Sequence, residues 1–274
     1  MTTEPRLSNV RELPHALDGF DTLRAALDGA VPAIFLDYDG TLTPIVDRPE
    51  NAILSAEGRA VVDTLARRLP VAVVSGRDRP DVEALVGIDS LTFAGSHGFD
   101  IRTPEAGVLA LEGIGDHTAL MDQVERLLKT GLDPIDGALV ERKRFSVAAH
   151  YRLVADAHYP TFRAVLDRLL ETVPGLKEKP GKKVFEIQPD IDWDKGKAVA
   201  HLLSTLKLDD AGHRPMFFGD DVTDEDAFRA LQGLGGVGIL AAPASDGDDG
   251  RMSAADFRVD DPDQVLEVLR RLTP

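Results

Sequence analysis

The 274-residue chain contains no cysteine. That absence removes disulfide frameworks, zinc–thiolate and iron–sulfur sites, and thiol nucleophiles together. It has no unbroken apolar run of about 18 residues, so no transmembrane helix is expected. The opening Met1-Thr2-Thr3-Glu4-Pro5 lacks the basic start and apolar centre of a secretory signal. Positive charge is short as well: 31 Lys and Arg face 47 Asp and Glu, a net charge of −16. Such a chain is poorly suited to grip nucleic acid or an anionic membrane, because phosphate arrays demand clustered cations. What is present is a globular mix, 43% hydrophobic and 28% charged, rich enough for a packed core. At roughly 100–200 residues per domain, the length allows one large domain or two modest ones. A soluble cytoplasmic α/β protein, working as a monomer, is expected.

Short apolar runs at residues 31–37, 71–75 and 214–220 each end in a polar loop, with helix-like sequence following at 57–69 and 224–231. Strands apolar throughout and alternating with helices predict a doubly wound, mainly parallel sheet buried on both faces. Ligands of such sheets bind beyond the carboxyl ends of the strands. The middle of the chain differs. Alternating patterns at 138–142, 145–151 and 184–188 predict antiparallel strands, and amphipathic patterns at 116–130 and 157–172 predict two helices. This gives an α/β core of residues 1–106 plus 189–274, with an inserted α+β cap at 107–188. The stretch 244–263 reads as a surface loop before a final helix at 263–272.

Chemistry concentrates where the core strands end. Asp37-Tyr38-Asp39-Gly40-Thr41 puts two carboxylates two residues apart on a turn. One carboxylate can attack phosphorus covalently and the other can move the leaving-group proton. Together they would repel a phosphate, so a cation is required, and Mg²⁺ suits oxygen donors of this kind. A calcium loop is excluded by count, since Leu42 stands where Gly is needed and Arg48 where Glu is needed. Asp190-x-Asp192-x-Asp194 fails the same way, at Lys195 and His201. Ser75-Gly76-Arg77 offers a hydroxyl and backbone N–H groups at a helix entrance. Lys195, at the start of a helical pattern, can offset phosphate charge. Gly219-Asp220-Asp221 follows an apolar strand and can complete a metal site, with Asp220 and Asp221 on the metal and residues 223–226 capping a helix. Gly233-x-Gly235-x-x-Gly238 follows a helix rather than a strand, so it is not a dinucleotide loop. Gly95-Ser96-His97-Gly98 is one residue short of a nucleophile elbow.

In order along the chain, Asp37-Tyr38-Asp39-Gly40-Thr41-Leu42-Thr43-Pro44-Ile45, Ser75-Gly76-Arg77, Gly95-x-His97-Gly98, Val140-Glu141-x-Lys143, His150-Tyr151-Arg152, Trp193-Asp194-Lys195-Gly196 and Gly219-Asp220-Asp221-x-Thr223-Asp224-Glu225 resemble the trehalose-6-phosphate phosphatase family of the haloacid dehalogenase superfamily. The resemblance runs from about residue 31 to 230. It implies a Mg²⁺-dependent hydrolase acting on trehalose 6-phosphate, the last step of trehalose biosynthesis, with trehalose-6-phosphate synthase as metabolic supplier only. It implies Asp37 as nucleophile, Asp39 as general acid/base, and Ser75 and Lys195 on the phosphoryl group with Thr41. Asp37, Asp39 (through its carbonyl), Asp220 and Asp221 would hold the metal. Tyr38, Gly76, Arg77 and His97 would line the phosphate end. Glu141, Lys143, Arg152, Lys182 and Glu186 in the cap would read sugar hydroxyls. Arg142 and Gln188 stand where the family commonly has Asn and Arg. Two other readings stay open: a superfamily phosphatase for sucrose 6-phosphate or a glycosyl-phosphoglycerate, and a regulatory domain that binds a sugar phosphate without hydrolysing it.

Overall fold

The computed structural model describes residues 5–46, 48–109, 117–181 and 183–273. The chain divides into two compact units, residues 1–110 with 193–274, and residues 111–192. The first unit contains, in chain order, β1 (Ser8–Asn9), α1 (Phe20–Ala26), β2 (Val31–Leu36), α2 (Ala56–Ala66), β3 (Val71–Val74), α3 (Arg79–Val86), β4 (Thr92–Gly95), β5 (Asp100–Thr103) and β6 (Gly107–Leu109). The second contains α4 (Thr118–Leu132), β7 (Leu139–Arg142), β8 (Val147–His150), α5 (Tyr159–Thr172), β9 (Leu176–Gly181) and β10 (Val184–Pro189). The chain then re-enters the first unit with α6 (Lys195–Thr205), β11 (His213–Gly219), α7 (Glu225–Leu234), β12 (Val237–Ala241), β13 (Met252–Ser253), β14 (Phe257–Val259) and α8 (Pro262–Leu272).

The first unit is built on one eight-stranded sheet, ordered β14-β12-β11-β2-β3-β4-β5-β6. Its first six strands are parallel, and β5 and β6 turn back antiparallel. Both faces are covered, which is why the central strands read as continuous apolar runs. Ile34, Leu36, Met216 and Phe218 pack with Leu65 of α2 and Leu269 of α8. On the other face Phe217 meets Phe228 of α7 edge-on, with centroids 5.8 Å apart. The stretch expected as a surface loop at 244–263 instead supplies β14, the outermost parallel strand, paired Ile239 to Phe257. Among the described residues no helix is long and apolar enough to cross a membrane.

The second unit folds around its own core. Its four-stranded antiparallel sheet is ordered β7-β8-β10-β9. Val147, Ala149, Phe185 and Ile187 face Met121 and Val124 of α4 and Phe162 and Leu166 of α5. Strand β9 has no counterpart among the strands expected from the sequence. Its residues, Leu-Lys-Glu-Lys-Pro-Gly, carry charge and proline, which are tolerated on a strand at the end of a sheet.

Phe162 is fully buried and stacks among Tyr151, Tyr159 and Phe185. Phe162→Ala should cost about 3–5 kcal/mol, the usual penalty for hollowing an aromatic core. Hydrogen exchange should show the loss confined to the second unit, residues 111–192. Uniform loosening of both units would refute a self-contained second core.

Candidate active site

Strands β11, β2 and β3 are parallel neighbours. The chain leaves β2 toward β3 on one side, while β11 leads to β12 on the other. The gap between β2 and β11 is therefore a topological switch point, where such sheets bind ligands. Asp37 follows β2, Ser75 follows β3 and Asp220 follows β11.

The loop after β2 is fixed by its backbone. Asp37 N–H donates to the Phe218 carbonyl at 2.9 Å, Leu42 N–H to the Tyr38 carbonyl at 2.9 Å, and Gly40 N–H to the Thr43 carbonyl at 2.7 Å. Gly40 has φ +82°, and a Cβ there would lie 2.1 Å from Asp220 Oδ2. Only glycine both adopts this turn and admits the Asp220 carboxylate. The Tyr38 side chain, expected at the phosphate end, is fully buried instead, its hydroxyl donating to the Ala52 carbonyl at 2.6 Å. It anchors the loop from beneath.

Lys195, the first residue of α6, is 3% exposed. Its Nζ donates to Asp37 Oδ1 at 2.9 Å and to Asp224 Oδ1 at 2.5 Å. The other Asp224 oxygen accepts from the backbone N–H groups of Asp220 and Asp221, each at 3.0 Å. Carboxylate oxygens of Asp37, Asp220 and Asp224 all lie within 4.8 Å of one another. Asp220 Oδ1 is buried with no hydrogen-bond partner among the described residues. An orphaned oxygen among three acids and one lysine is the donor set of a hard, oxygen-preferring cation.

Asp221 and Asp224 form the two halves of one capping box. Asp221 is exposed, and its Oδ1 caps the turn Val222–Asp224 by accepting from Val222 N–H at 2.6 Å. Asp224 is fully buried, fitting against Gly219, where a Cβ would lie 2.4 Å from its Cγ. Asp224 closes the cap from the other end, as the sequence predicts, by accepting from Asp221 N–H, while its second oxygen faces Lys195.

Asp39 is held apart from this cluster. Arg77 grips it with two bonds, Nε to Oδ2 and Nη2 to Oδ1, both 2.6 Å. Arg77 also donates to the Pro49 carbonyl at 2.9 Å and lies over the Tyr38 ring. The guanidinium expected on phosphate is thus engaged with the second acid. Ser75 is buried and its hydroxyl accepts from Arg77 N–H at 3.2 Å. Thr41 is fully buried, and its hydroxyl has no hydrogen-bond partner among the described residues. His97 is buried against Gly76, where a Cβ would come within 2.7 Å of Cε1.

In the second unit, Glu141 of β7 and Glu186 of β10 both register opposite Ala148 of β8. The strand alternation therefore puts them on the face away from α4 and α5. Lys143 Nζ donates to Glu186 Oε1 at 3.2 Å, and Ser146 Oγ donates to the same oxygen at 2.6 Å. His150 Nε2 lies 2.9 Å from Glu141 Oε2, and this bond holds the Glu141 carboxyl below the usual range. Arg152 is exposed in the turn after β8. Lys182 lies outside the described residues. Arg142 turns to the helix side, donating to Asp122 of α4 at 3.1 Å, and Gln188 is buried.

The sequence model of the trehalose-phosphatase family matches residues 35–263. The chain belongs to the trehalose-phosphatase family. It is 38% identical to a trehalose 6-phosphate phosphatase of Zea mays, over 94% of this chain and 74% of that one. It is 41% identical to a Mycobacterium tuberculosis protein named as an uncharacterized glycosyl hydrolase, over 96% of this chain but only 20% of that one. It thus spans a fifth of the length of that relative. Its fold matches the C-terminal domain of Candida albicans trehalose-6-phosphate phosphatase with a TM-score of 0.77, covering 99% of both chains at 23% identity. It also matches a haloacid dehalogenase-like hydrolase of Bacteroides thetaiotaomicron with a TM-score of 0.58, covering 89% of this chain and 99% of that one at 15% identity, and the shared fold is an α/β core of the kind the sequence predicts.

Burial, with neighbouring Asp224, pushes Asp37 up to about 7 despite Lys195. Burial, with Asp37 and Asp224, pushes Asp220 up to about 9. Burial would depress Lys195, but Asp224 and Asp37 hold it above its ordinary value. A carboxyl raised by folding stabilises fully below its unfolded value of 3.8 and loses that contribution as pH climbs through its folded value. Lys195 is charged throughout this window, folded or not. Chelated protein should therefore melt lower as pH rises from about 6 to about 9. A divalent cation should restore more at the alkaline end, where it displaces fewer protons. Thermal melts with and without chelator test this. An equal cation effect at both ends would overturn the assignment.

Proposed function

We propose that this chain is a Mg²⁺-dependent phosphatase converting trehalose 6-phosphate to trehalose and phosphate through an aspartyl-phosphate. The observation that carries the reading is Asp37, buried at a strand end and bonded through Oδ1 to Lys195, with Asp39 two residues on, in a chain of the trehalose-phosphatase family. Lys195 engages one oxygen of Asp37, which aims the other at phosphorus. An Asp37 oxygen forms a bond to phosphorus as the bond from phosphorus to the sugar oxygen breaks. Asp39 gives its proton to that departing oxygen, then takes a proton from the water that cleaves the aspartyl-phosphate. The Arg77 fork occupies both Asp39 oxygens, so the guanidinium must release one of them before Asp39 can carry the proton. The hydroxyls of Thr41 and Ser75 and the Lys195 ammonium hold phosphoryl oxygens.

The orphaned oxygen of Asp220 supports a metal here. Asp37 and Asp220, with the Asp39 carbonyl, would hold Mg²⁺, which when bound neutralises charge on the phosphoryl group. Both oxygens of Asp224 are already engaged, so it acts by fixing Lys195 and the Asp220 backbone. Sugar recognition falls to Glu141, Lys143, Arg152 and Glu186. Charged groups read a hydroxyl-rich disaccharide strongly.

Asp37→Asn should keep the fold and lower turnover at least about 10³-fold, the scale of losing a nucleophile. Near-normal phosphate release by this variant would exclude covalent attack by Asp37. Wild-type release should require Mg²⁺ and stop in EDTA. A binding-only domain would release none. Glu186→Gln should raise KM for trehalose 6-phosphate about tenfold, the value of a charged hydrogen bond. Across a panel of sugar phosphates, faster turnover of sucrose 6-phosphate or glucose 6-phosphate would reject the substrate assignment.

A further inference from the structure

We infer that Arg251 is a positioning residue for the cation-binding loop, and that the amino-terminal strand holds it there. The inference rests on the proposed role of Asp220. The Asp220 peptide is tied at both ends. Its N–H donates to Asp224, as described, and its carbonyl accepts from Arg251 Nη2 at 2.6 Å. Arg251 lies 31 residues further on, in a stretch with no chemical motif of its own. Its other terminal nitrogen, Nη1, donates to Asp246 Oδ2 at 3.1 Å, which fixes the plane of the guanidinium.

The backbone of Arg251 is fixed from the far end of the chain. Its carbonyl accepts from Val10 N–H at 3.0 Å, and the next residues pair as β13 with β1, Asn9 opposite Met252. Asn9 Nδ2 donates to the Gly247 carbonyl at 3.1 Å, and Arg11 pairs with Asp248 at 2.7 Å. Further along, Ala254 N–H donates to Glu225 Oε2 at 2.8 Å, pinning the same segment to the start of α7. Residues 8–11 thus clamp the segment 246–253, and Arg251 carries that restraint to Asp220. The bond is charge-assisted and goes to a backbone oxygen, so it fixes where the Asp220 carboxylate sits without consuming either carboxylate oxygen.

Charge and position make opposite forecasts. As a bare cation near a metal site, Arg251 weakens metal binding, and its removal would tighten it. As a positioning residue, its removal loosens the loop and weakens binding. Arg251→Met keeps the apolar stem and removes the donors. Mn²⁺, which takes the same oxygen donors, can be titrated without substrate and its free ion read by electron paramagnetic resonance. Arg251→Met should raise the Mn²⁺ Kd about tenfold, the low end for groups that orient metal ligands. It should lower kcat on trehalose 6-phosphate while leaving KM nearly unchanged. Arg251→Lys, with one donor in reach, should recover most of the affinity. An unchanged or tightened Mn²⁺ Kd in Arg251→Met overturns the inference. So does a fall in the melting temperature of the chelated protein that Arg251→Lys repairs without recovering Mn²⁺ affinity. Wild-type protein that takes up no Mn²⁺ refutes the metal site itself, and the role of Arg251 with it. Mn²⁺ uptake without phosphate release refutes only the substrate, and leaves the Arg251 comparison decisive.

Discussion

Three carboxylates share one buried space with a single ammonium group. Asp37, Asp220 and Asp224 stand within 4.8 Å of each other, and Lys195 bonds two of them. Ionised together they leave two negative charges unmatched, the charge of one divalent cation. Buried like charges at this distance are costly, and without a cation the site retains protons instead. Much of the surrounding structure answers this constraint. Gly40 and Gly219 lack side chains where Asp220 and Asp224 must approach. Asp224 uses one oxygen on Lys195 and the other on two backbone N–H groups, so it needs nothing from a ligand. Asp220 keeps an oxygen in reserve.

The fold class was legible because the sheet is buried on both faces. Short, uniformly apolar runs such as β2, β3 and β11 suit strands covered from both sides, and the helices between them set the crossovers. The strands without a clear sequence signal lie at edges or follow irregular loops. In β9 proline and alternating charge mask an extended segment that, among the described residues, pairs with a strand on one side only. In β14 only three residues pair, at the end of an acidic, glycine-rich stretch. Edge strands carry weak hydrophobic patterning because one side of their backbone is solvated, so composition there reflects solubility more than pairing.

At the site, sequence order identified which loops converge but not which way each side chain turns. Asp37, Ser75 and Asp220 follow adjacent parallel strands, so strand ends alone placed them. Asp221 and Asp224 are both acids of one short turn, and their roles depend on which faces the sheet. Capping favours either. Only the open space beside Gly219 decides for Asp224. Tyr38 reads as a lining residue through the family resemblance alone, yet its side chain turns inward and its hydroxyl donates to the Ala52 carbonyl. Arg77 and Asp39 are 38 residues apart, and Arg251 and Asp220 are 31 apart. Pairings of that kind leave no local pattern, because tertiary packing creates them.

The charge distribution follows the same division of labour. Within residues 107–188 twelve acidic and twelve basic residues balance, so the whole net charge of −16 resides in the remainder. An acidic core is a poor partner for a free anion but a good one for a cation. A phosphate ester meets such a core favourably only after a dication has matched the acids, so metal and substrate should bind with positive coupling. Asp39 sits outside the repelling cluster for a related reason. Both of its oxygens are taken up by Arg77, which leaves the Lys195 ammonium to Asp37 and Asp224.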